Sequence, residues 1–292
     1  MTANRVPRVR RAERQYATVG AVIVAVLLVI AVLAPWIAKH DPFALGDTAL
    51  AGPSANAWFG TDNLGRDVWS QFVYGARLSL TVGVVAALIG SVIGVGVGTI
   101  AGVRGGVTDA LLMRFTEAVL ILPRFIVAVA VVAFLGSGIS RIIMVIGLMS
   151  WPGVARIVRA EVMKVKNLEF VEAARASGLG RGSIVFREIL PNSLGPAIVV
   201  ASLDIGQAIL VEAGLSFLGL GDPTVMSWGT MLNNSQRFLA QAWWMAIFPG
   251  VGIFLSVLGF NMLGEGLRAS RRGTKRARNG SAAPDAGGEV AA

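Results

Sequence analysis

The feature that most limits what this chain can become is a run without a single charge, Leu78–Ala101, set among other apolar runs of similar length. A hydrocarbon core needs roughly 17 to 25 apolar residues of helix to cross it. Runs of that order also occupy Thr18–Ala38, about Ala118–Leu135, about Ile139–Ala155, Ala197 to about Phe217, and Trp243–Leu263. The pattern predicts an all-α, polytopic membrane protein with six transmembrane helices. Composition agrees: 54% of the residues are hydrophobic and 15% charged, against about 25% charged in ordinary soluble domains. Only Gly136, Ser137 and Gly138 part the third and fourth runs. Such residues permit a tight turn. The alternative for that stretch is one kinked helix with a re-entrant piece.

Lys and Arg set orientation, because cytoplasmic loops carry their excess. Arg5, Arg8, Arg10, Arg11 and Arg14 precede the first run. Arg156, Arg159, Lys164, Lys166, Arg175, Arg181 and Arg187 fill the segment before the fifth, and Arg268, Arg271, Arg272, Lys275, Arg276 and Arg278 follow the sixth. With six spans all three clusters fall on one side, so both termini are expected in the cytoplasm. The expected division is a basic N-terminus 1–17, a first transmembrane anchor 18–38 and an extracytoplasmic loop 39–77. A membrane core 78–265 follows, with cytoplasmic helices at about 160–191, then a basic and finally disordered tail 266–292. The run after Arg14 has no Ala-x-Ala site before Pro35, so an uncleaved anchor is expected rather than a signal peptide. The high pI, near 11.1, reflects this one-sided basic excess rather than nucleic-acid binding.

Gly90, Gly94 and Gly98 recur at a spacing of four and line one face of the second span. Small residues at that spacing let helix backbones approach in lipid. Asp204 and Glu212 share one face of the fifth span. An acid in lipid is costly and faces the bundle or a cavity. Both are candidates for a translocation path or a subunit interface. The competing structural reading is an interhelical hydrogen bond for Asp204 and an outer-boundary position for Glu212. Arg124 is expected to snorkel toward water. The long outer loops are expected to bind something or cover a site. Trp228, Trp243 and Trp244 suit a membrane–water interface.

A polar island interrupts this pattern. Glu169-Phe170-Val171-Glu172-Ala173-Ala174-Arg175-Ala176 suits a short helix, and Gly178 and Gly180 then break it. A second helix, about Arg181–Leu190, is expected to stop at Pro191, which lacks the N–H a continuing helix needs. Two short helices joined by a bend, lying between spans, are expected to form a knob able to pass force, the alternative being an ordinary cytoplasmic loop.

Glu172-Ala173-Ala174, then Gly178, then Ile189-Leu190-Pro191 resembles the EAA signature of ABC importer permeases. From about Tyr16 to Leu267 the chain resembles the second permease subunit of the dipeptide/oligopeptide/nickel class, the DppC/OppC type. Gly60-Thr61-Asp62-Asn63-Leu64-Gly65-Arg66-Asp67, Tyr74-Gly75-Ala76-Arg77, Glu212-Ala213-Gly214-Leu215-Ser216-Phe217 and Ser227-Trp228-Gly229 carry the same likeness. The resemblance implies a type I ABC importer permease fold, importing di- or oligopeptides across the bacterial cytoplasmic membrane. It implies a homologous second permease, two cytoplasmic ATPases holding ATP and Mg2+, and an extracytoplasmic binding protein. Glu172, Ala173, Ala174, Gly178 and Pro191 would couple to an ATPase. Gly60, Asp62, Gly65, Arg66, Asp67 and Trp228 would face the binding protein or the partner permease. Nickel chelates, glutathione-like compounds and other small polar solutes are the alternative cargo.

Enzyme and stand-alone channel are the rival classes. The chain has no Gly-x-x-x-x-Gly-Lys-[Ser/Thr], no His-Glu-x-x-His, no cysteine, and one histidine, His40. It is therefore expected to bind no nucleotide, cofactor or metal itself, and to hold no soft metal.

Overall fold

A computed structural model describes residues 6–280. The elements in order are α1 (Val6–Ile37), α2 (Val68–Arg104), α3 (Gly106–Ile121), α4 (Arg124–Leu135), α5 (Ile139–Val165), α6 (Glu169–Ala176), α7 (Arg181–Ser183), a π turn (Ile184–Ile189), α8 (Leu190–Phe217), α9 (Trp228–Ser235) and α10 (Trp244–Gly280). Five helical stretches are long and apolar enough to cross a membrane: Gln15–Ile37, Val68–Arg104, Ile139–Val165, Arg181–Phe217 and Trp244–Arg268. Helices α3 and α4 meet at a bend of 78° and together form either a broken sixth span or a re-entrant loop. The disordered end expected for the tail lies outside the described residues.

The bend corrects the expected straight span Ala118–Leu135. Its cause is Pro123. The residue before a proline is pushed out of the helical region, and Leu122 is extended at φ −71°, ψ 125°. The tight turn at Gly136–Gly138 forms as expected, with φ of 83° at Gly136 and 155° at Gly138. Two further boundaries differ from the expected ones. Helix α5 passes through Pro152 and runs to Val165, so residues 160–165 extend a span rather than open a separate cytoplasmic helix. Helix α2 begins at Val68 rather than near Leu78, shortening the loop. Asp67 caps it by accepting from Ser70 N–H at 2.9 Å, which satisfies a backbone donor that no carbonyl inside the helix can reach. Val68, Val73 and Ala76 then bury their side chains in the core.

The glycine stripe of α2 packs on α5. A Cβ on Gly90 would lie 2.7 Å from Ser150 Cβ, one on Gly94 2.6 Å from Val154 Cβ, and one on Gly102 2.7 Å from a Val162 methyl. The two helices thus mesh at matched four-residue spacing, Gly90, Gly94, Gly98 and Gly102 against Ser150, Val154, Val158 and Val162. Lipid supplies no hydrophobic force between helices, so this close approach is what holds the pair.

A second core joins α1, α2, α8, α9 and α10 around Phe72, Ile209, Trp228 and Trp244. A third, smaller one joins α2, α4, α5 and α8 through Val82, Val132, Ile146 and Leu215. The segment 38–67 and α9 lie together at one end of the bundle, where Trp244 Nε1 donates to Thr61 O at 3.1 Å. Helix α6 lies at the other, beside the C-terminal turns of α5.

Candidate functional site

Helix α6 is anchored through Val171, with Ala174 packed beside it and Arg175 Nη2 donating to Lys166 O at 3.3 Å. Val171 is fully buried, packed with Val162, Val165, Ile184 and Ile189, while Glu172, Ala173, Arg175 and Ala176 are exposed. The helix ends in a Schellman cap. Leu179 N–H donates to Ala174 O at 3.3 Å and Gly178 N–H to Arg175 O at 3.0 Å. Gly178 sits at φ +77°, the left-handed conformation that this cap places just past the helix end and that glycine adopts without strain. Leu168, Phe170, Leu179 and Phe186 stand exposed around this polar helix. The result is a short helix with small residues on its open face and apolar side chains at its margin, fixed by the ends of two long helices.

The expected stop at Pro191 is a correction. The chain is helical without interruption from Arg181 to Phe217. Just before the proline the helix widens to a π turn, and Leu190 N–H reaches back five residues to Val185 O. A π turn loosens the ladder at the point where proline cannot donate. Asn192 Nδ2 donates to Glu188 O at 2.7 Å, engaging a carbonyl beside the break. Pro191 therefore marks a distortion within one helix that runs from the α6 end into the membrane span.

Both acids of α8 find partners inside the chain. Asp204 Oδ1 lies 3.5 Å from Arg124 Nη1, with side-chain exposures of 12% and 35%. Arg124 does not snorkel as expected; it is the first residue of α4 and turns to α8. Glu212 accepts from Ser79 Oγ at 3.1 Å and Ser216 Oγ at 2.8 Å. Ser79 Oγ also lies 3.4 Å from Trp228 N. Glu212 is enclosed at 2% exposure, so it stitches α2, α8 and the start of α9 together rather than standing at a boundary.

The Gly60–Asp67 string is turned inward. Asp62 Oδ1 accepts from Leu64 N–H and Arg66 N–H at 2.8 and 2.9 Å, and Asp62 Oδ2 accepts from Gln71 Nε2 at 2.9 Å. Gly60, Asp62, Gly65 and Asp67 are all buried. A bridge pairs Thr61 with Asp67. Trp228 is fully buried, and its Nε1 donates to Phe72 O at 3.1 Å. The carboxylates expected at an outer contact thus serve the loop's own fold: Asp62 closes a turn and reaches Gln71, and one oxygen of Asp67 caps α2. Half-buried Arg66 lies 5.8 Å over the Phe43 ring. Phe43, Leu45, Trp58 and Leu64 are large apolar side chains left exposed in the 38–67 segment, and Trp243 is exposed just before α10. In the segment between α8 and α9, Asp222 accepts from Thr224 Oγ1 at 2.6 Å and Thr224 N at 2.9 Å, which holds its carboxyl below the usual range.

Toward the α6 end, Arg159 of α5 grips Asp109 of α3 through both carboxylate oxygens. Lys166 Nζ donates to Gly102 O at 2.7 Å. These contacts clamp the α2–α3 turn to the part of α5 that carries α6. Among the described residues, no group of three or more His, Cys, Asp or Glu gathers to hold a metal ion.

The sequence profile of the binding-protein-dependent transport system inner membrane component matches residues 94–270. The chain belongs to that family. The N-terminal TM domain of oligopeptide transport permease C matches residues 13–53. The permease is 43% identical to the dipeptide transport system permease protein DppC of Alkalihalophilus pseudofirmus, over 88% of this chain and 85% of that protein. It is also 43% identical to the glutathione transport system permease protein GsiD of Escherichia coli, over 89% of this chain and 87% of that one. An inward-facing structure of the MetNI methionine ABC transporter shares the fold, with a TM-score of 0.53, 20% identity, and coverage of 71% of this chain and 95% of that one. The protein is a transport subunit of the ABC importer class, embedded in the membrane through several apolar spans.

Sequence pattern alone assigns no site role to Ser79, Ser216, Asp109 or Arg159. Ser79 is a hydroxyl that gains meaning only when α2, α8 and α9 meet. Glu212 and Ser216, at a spacing of four on one helix, were a usable signal. Asp109 and Arg159 lie on different helices, and nothing local links them.

Proposed function

We propose that this permease forms half of the translocation pathway of an ATP-driven peptide importer, paired with a homologous permease. Two cytoplasmic ATPases hold the ATP and Mg2+, and the chain itself binds no cofactor. A binding protein outside the membrane delivers di- or oligopeptides. The observation that carries the reading is α6, a capped helix with an open face of Glu172, Ala173 and Ala176 ringed by exposed Phe170, Leu179 and Phe186. Exposed apolar residues around a polar face mark an interaction surface. Small residues let a partner's groove close on the helix backbone. Glu172, Ala173, Ala174 and Gly178 dock the ATPase. Pro191 marks the distortion through which that motion enters α8. The one-sided Lys and Arg excess supports both termini in the cytoplasm, which puts α6 on the ATPase side.

At the outer end, the contact first expected of Gly60, Asp62, Gly65, Asp67 and Trp228 passes to side chains that point outward. Trp58, Leu64 and Leu45 present the surface for the binding protein or the partner permease, with Arg66 half-buried behind it. The dipeptide relative supports peptides as cargo. The glutathione relative favours a second reading, and glutathione is itself a small peptide with free carboxylates. Reconstitution of both permeases, the ATPases and the binding protein in liposomes tests the proposal. Labelled peptide should accumulate only with ATP and only when every subunit is present. Uptake without the ATPases would make the chain a channel, and ATP-driven uptake confined to non-peptide solutes would remove the peptide reading.

A further inference from the structure

We infer that the cavity between α4, α5 and α8 is a carboxylate-binding station on the transport path, where Arg124 takes the terminal carboxylate of a passing peptide in place of Asp204. The inference rests on the peptide reading above and adds to it a site and a ligand group.

The cavity measures about 200 Å3 and is lined by Arg124, Phe125, Ile146, Ser150, Gln207 and Val211, among others. Its polar walls lie near the middle of α5 and of α8, so it sits at depth in the bundle. Charged groups there are expensive and mark paths and sites. A buried ion pair is a poor way to stabilise a fold, since apolar side chains of similar volume serve as well or better.

The pair's geometry points to exchange rather than to a fixed tie. The protein builds a closed ion pair elsewhere: Arg159 meets both oxygens of Asp109. Arg124 meets Asp204 through one nitrogen and one oxygen at 3.5 Å. Charge-assisted hydrogen bonds are commonly 2.7–2.9 Å, and a guanidinium offers five N–H donors in a fork shaped for a carboxylate. The contact with Asp204 uses the fork at one point and at the limit of hydrogen-bond reach. Arg124 is also the more open partner, at 35% side-chain exposure against 12% for Asp204. Arg124 lines the cavity and Asp204 does not.

Two further features favour an anion. Arg124 opens α4, and the residue before it, Pro123, has no side chain able to cap the helix. The partial positive charge of that N-terminus adds to the guanidinium. Gln207 brings an amide donor one turn along α8 from Asp204. The remaining walls are apolar and make few demands on peptide side chains. The site therefore reads the group that every unmodified linear peptide shares, its C-terminal carboxylate. Asp204 keeps Arg124 compensated when the cavity is empty.

The test uses the complete reconstituted importer and one peptide as free acid and as C-terminal amide, chosen so that the binding protein retains both. The readout is the acid-to-amide ratio of ATP-driven uptake, in which any preference of the unchanged binding protein cancels between variants. Arg124→Gln should lower the ratio by about tenfold, the order of a lost charge-assisted hydrogen bond. Asp204→Asn should raise it, because the competing carboxylate is gone. A merely structural pair would change both peptides by one factor and leave the ratio fixed in both variants, which overturns the inference while the peptide reading stands. If Arg124→Gln fails to assemble, Asp204→Asn decides alone: a raised ratio supports the station, and an unchanged or lowered one removes it. No ATP-driven uptake of either peptide by the parental importer would remove the peptide reading and this inference together.

Discussion

Gly94→Ala tests the packing that sets the permease's shape. The new Cβ would lie 2.6 Å from Val154 Cβ and 2.7 Å from Trp151 O. Carbon atoms in good contact stand about 3.5–4.0 Å apart, so α2 and α5 would have to part locally by about 1 Å. The stripe continues above and below at Gly90 and Gly98, so a local separation also loosens their contacts with Ser150 and Val158. Overpacking of this kind costs about 1–3 kcal/mol. Alanine returns about 0.5–1 kcal/mol through its better helix propensity. The net expectation is a loss of up to about 2.5 kcal/mol, and a gap of about 1–3 kcal/mol from a variant that gains the propensity alone. Gly96 supplies the control on the same helix, because a Cβ there meets nothing within 4 Å. Gly96→Ala should keep the propensity gain and lose nothing. The assay is reversible unfolding of the purified protein in mixed micelles, followed by circular dichroism. Equal stability of the two variants would refute the claim that close backbone approach along this stripe holds α2 to α5.

Three other outcomes follow from the same structure. Glu172→Lys and Gly178→Val should leave membrane insertion intact yet weaken ATPase association, measured by co-purification, because one reverses a charge on the open face of α6 and the other puts a β-branched residue at φ +77°. Trp228→Ala should cost about 3–5 kcal/mol in the same unfolding assay, since its ring is fully buried and its N–H is paired with Phe72 O. Protection factors for amide exchange in the 222–226 turn should be steady from neutral pH down to the ordinary carboxylate pKa, about 3.9. Protection should then fall below about pH 4, because Asp222 has a lowered pKa and its stabilising charge is lost only as pH drops through that value; Asp222→Asn should abolish this acid step.

Much of the architecture was readable in the sequence. Apolar run length gave the spans, and the four-residue spacing of Gly90, Gly94 and Gly98 gave the tight face of α2, since both are one-dimensional signals. The misplaced features needed a local rule applied more strictly or a third dimension. Pro123 lies inside the expected third span and announced the break. Pro191 misled in the opposite sense, because a π turn just before it let the helix continue. Trp228 has the composition of an interface residue, and only the meeting of α2, α9 and α10 shows it enclosed. Ser216 lies one turn from Glu212, but the other partners, Ser79 of α2 for Glu212 and Arg124 of α4 for Asp204, lie far away in the chain, and no spacing rule reaches them.

The central claim is that α6 is the permease's handle for an ATPase on the cytoplasmic side. The chain has no cysteine, so Ala173→Cys introduces a single thiol on the open face of α6, and Ala57→Cys one on the 38–67 segment. In membranes containing the assembled importer, a short thiol cross-linker should join the Ala173→Cys variant to an ATPase subunit, in a yield that changes with ATP. The Ala57→Cys variant should give no such product and should react with an impermeant thiol reagent added outside intact cells. Labelling of the Ala173→Cys variant from outside, with no ATPase adduct in membranes, would contradict the account.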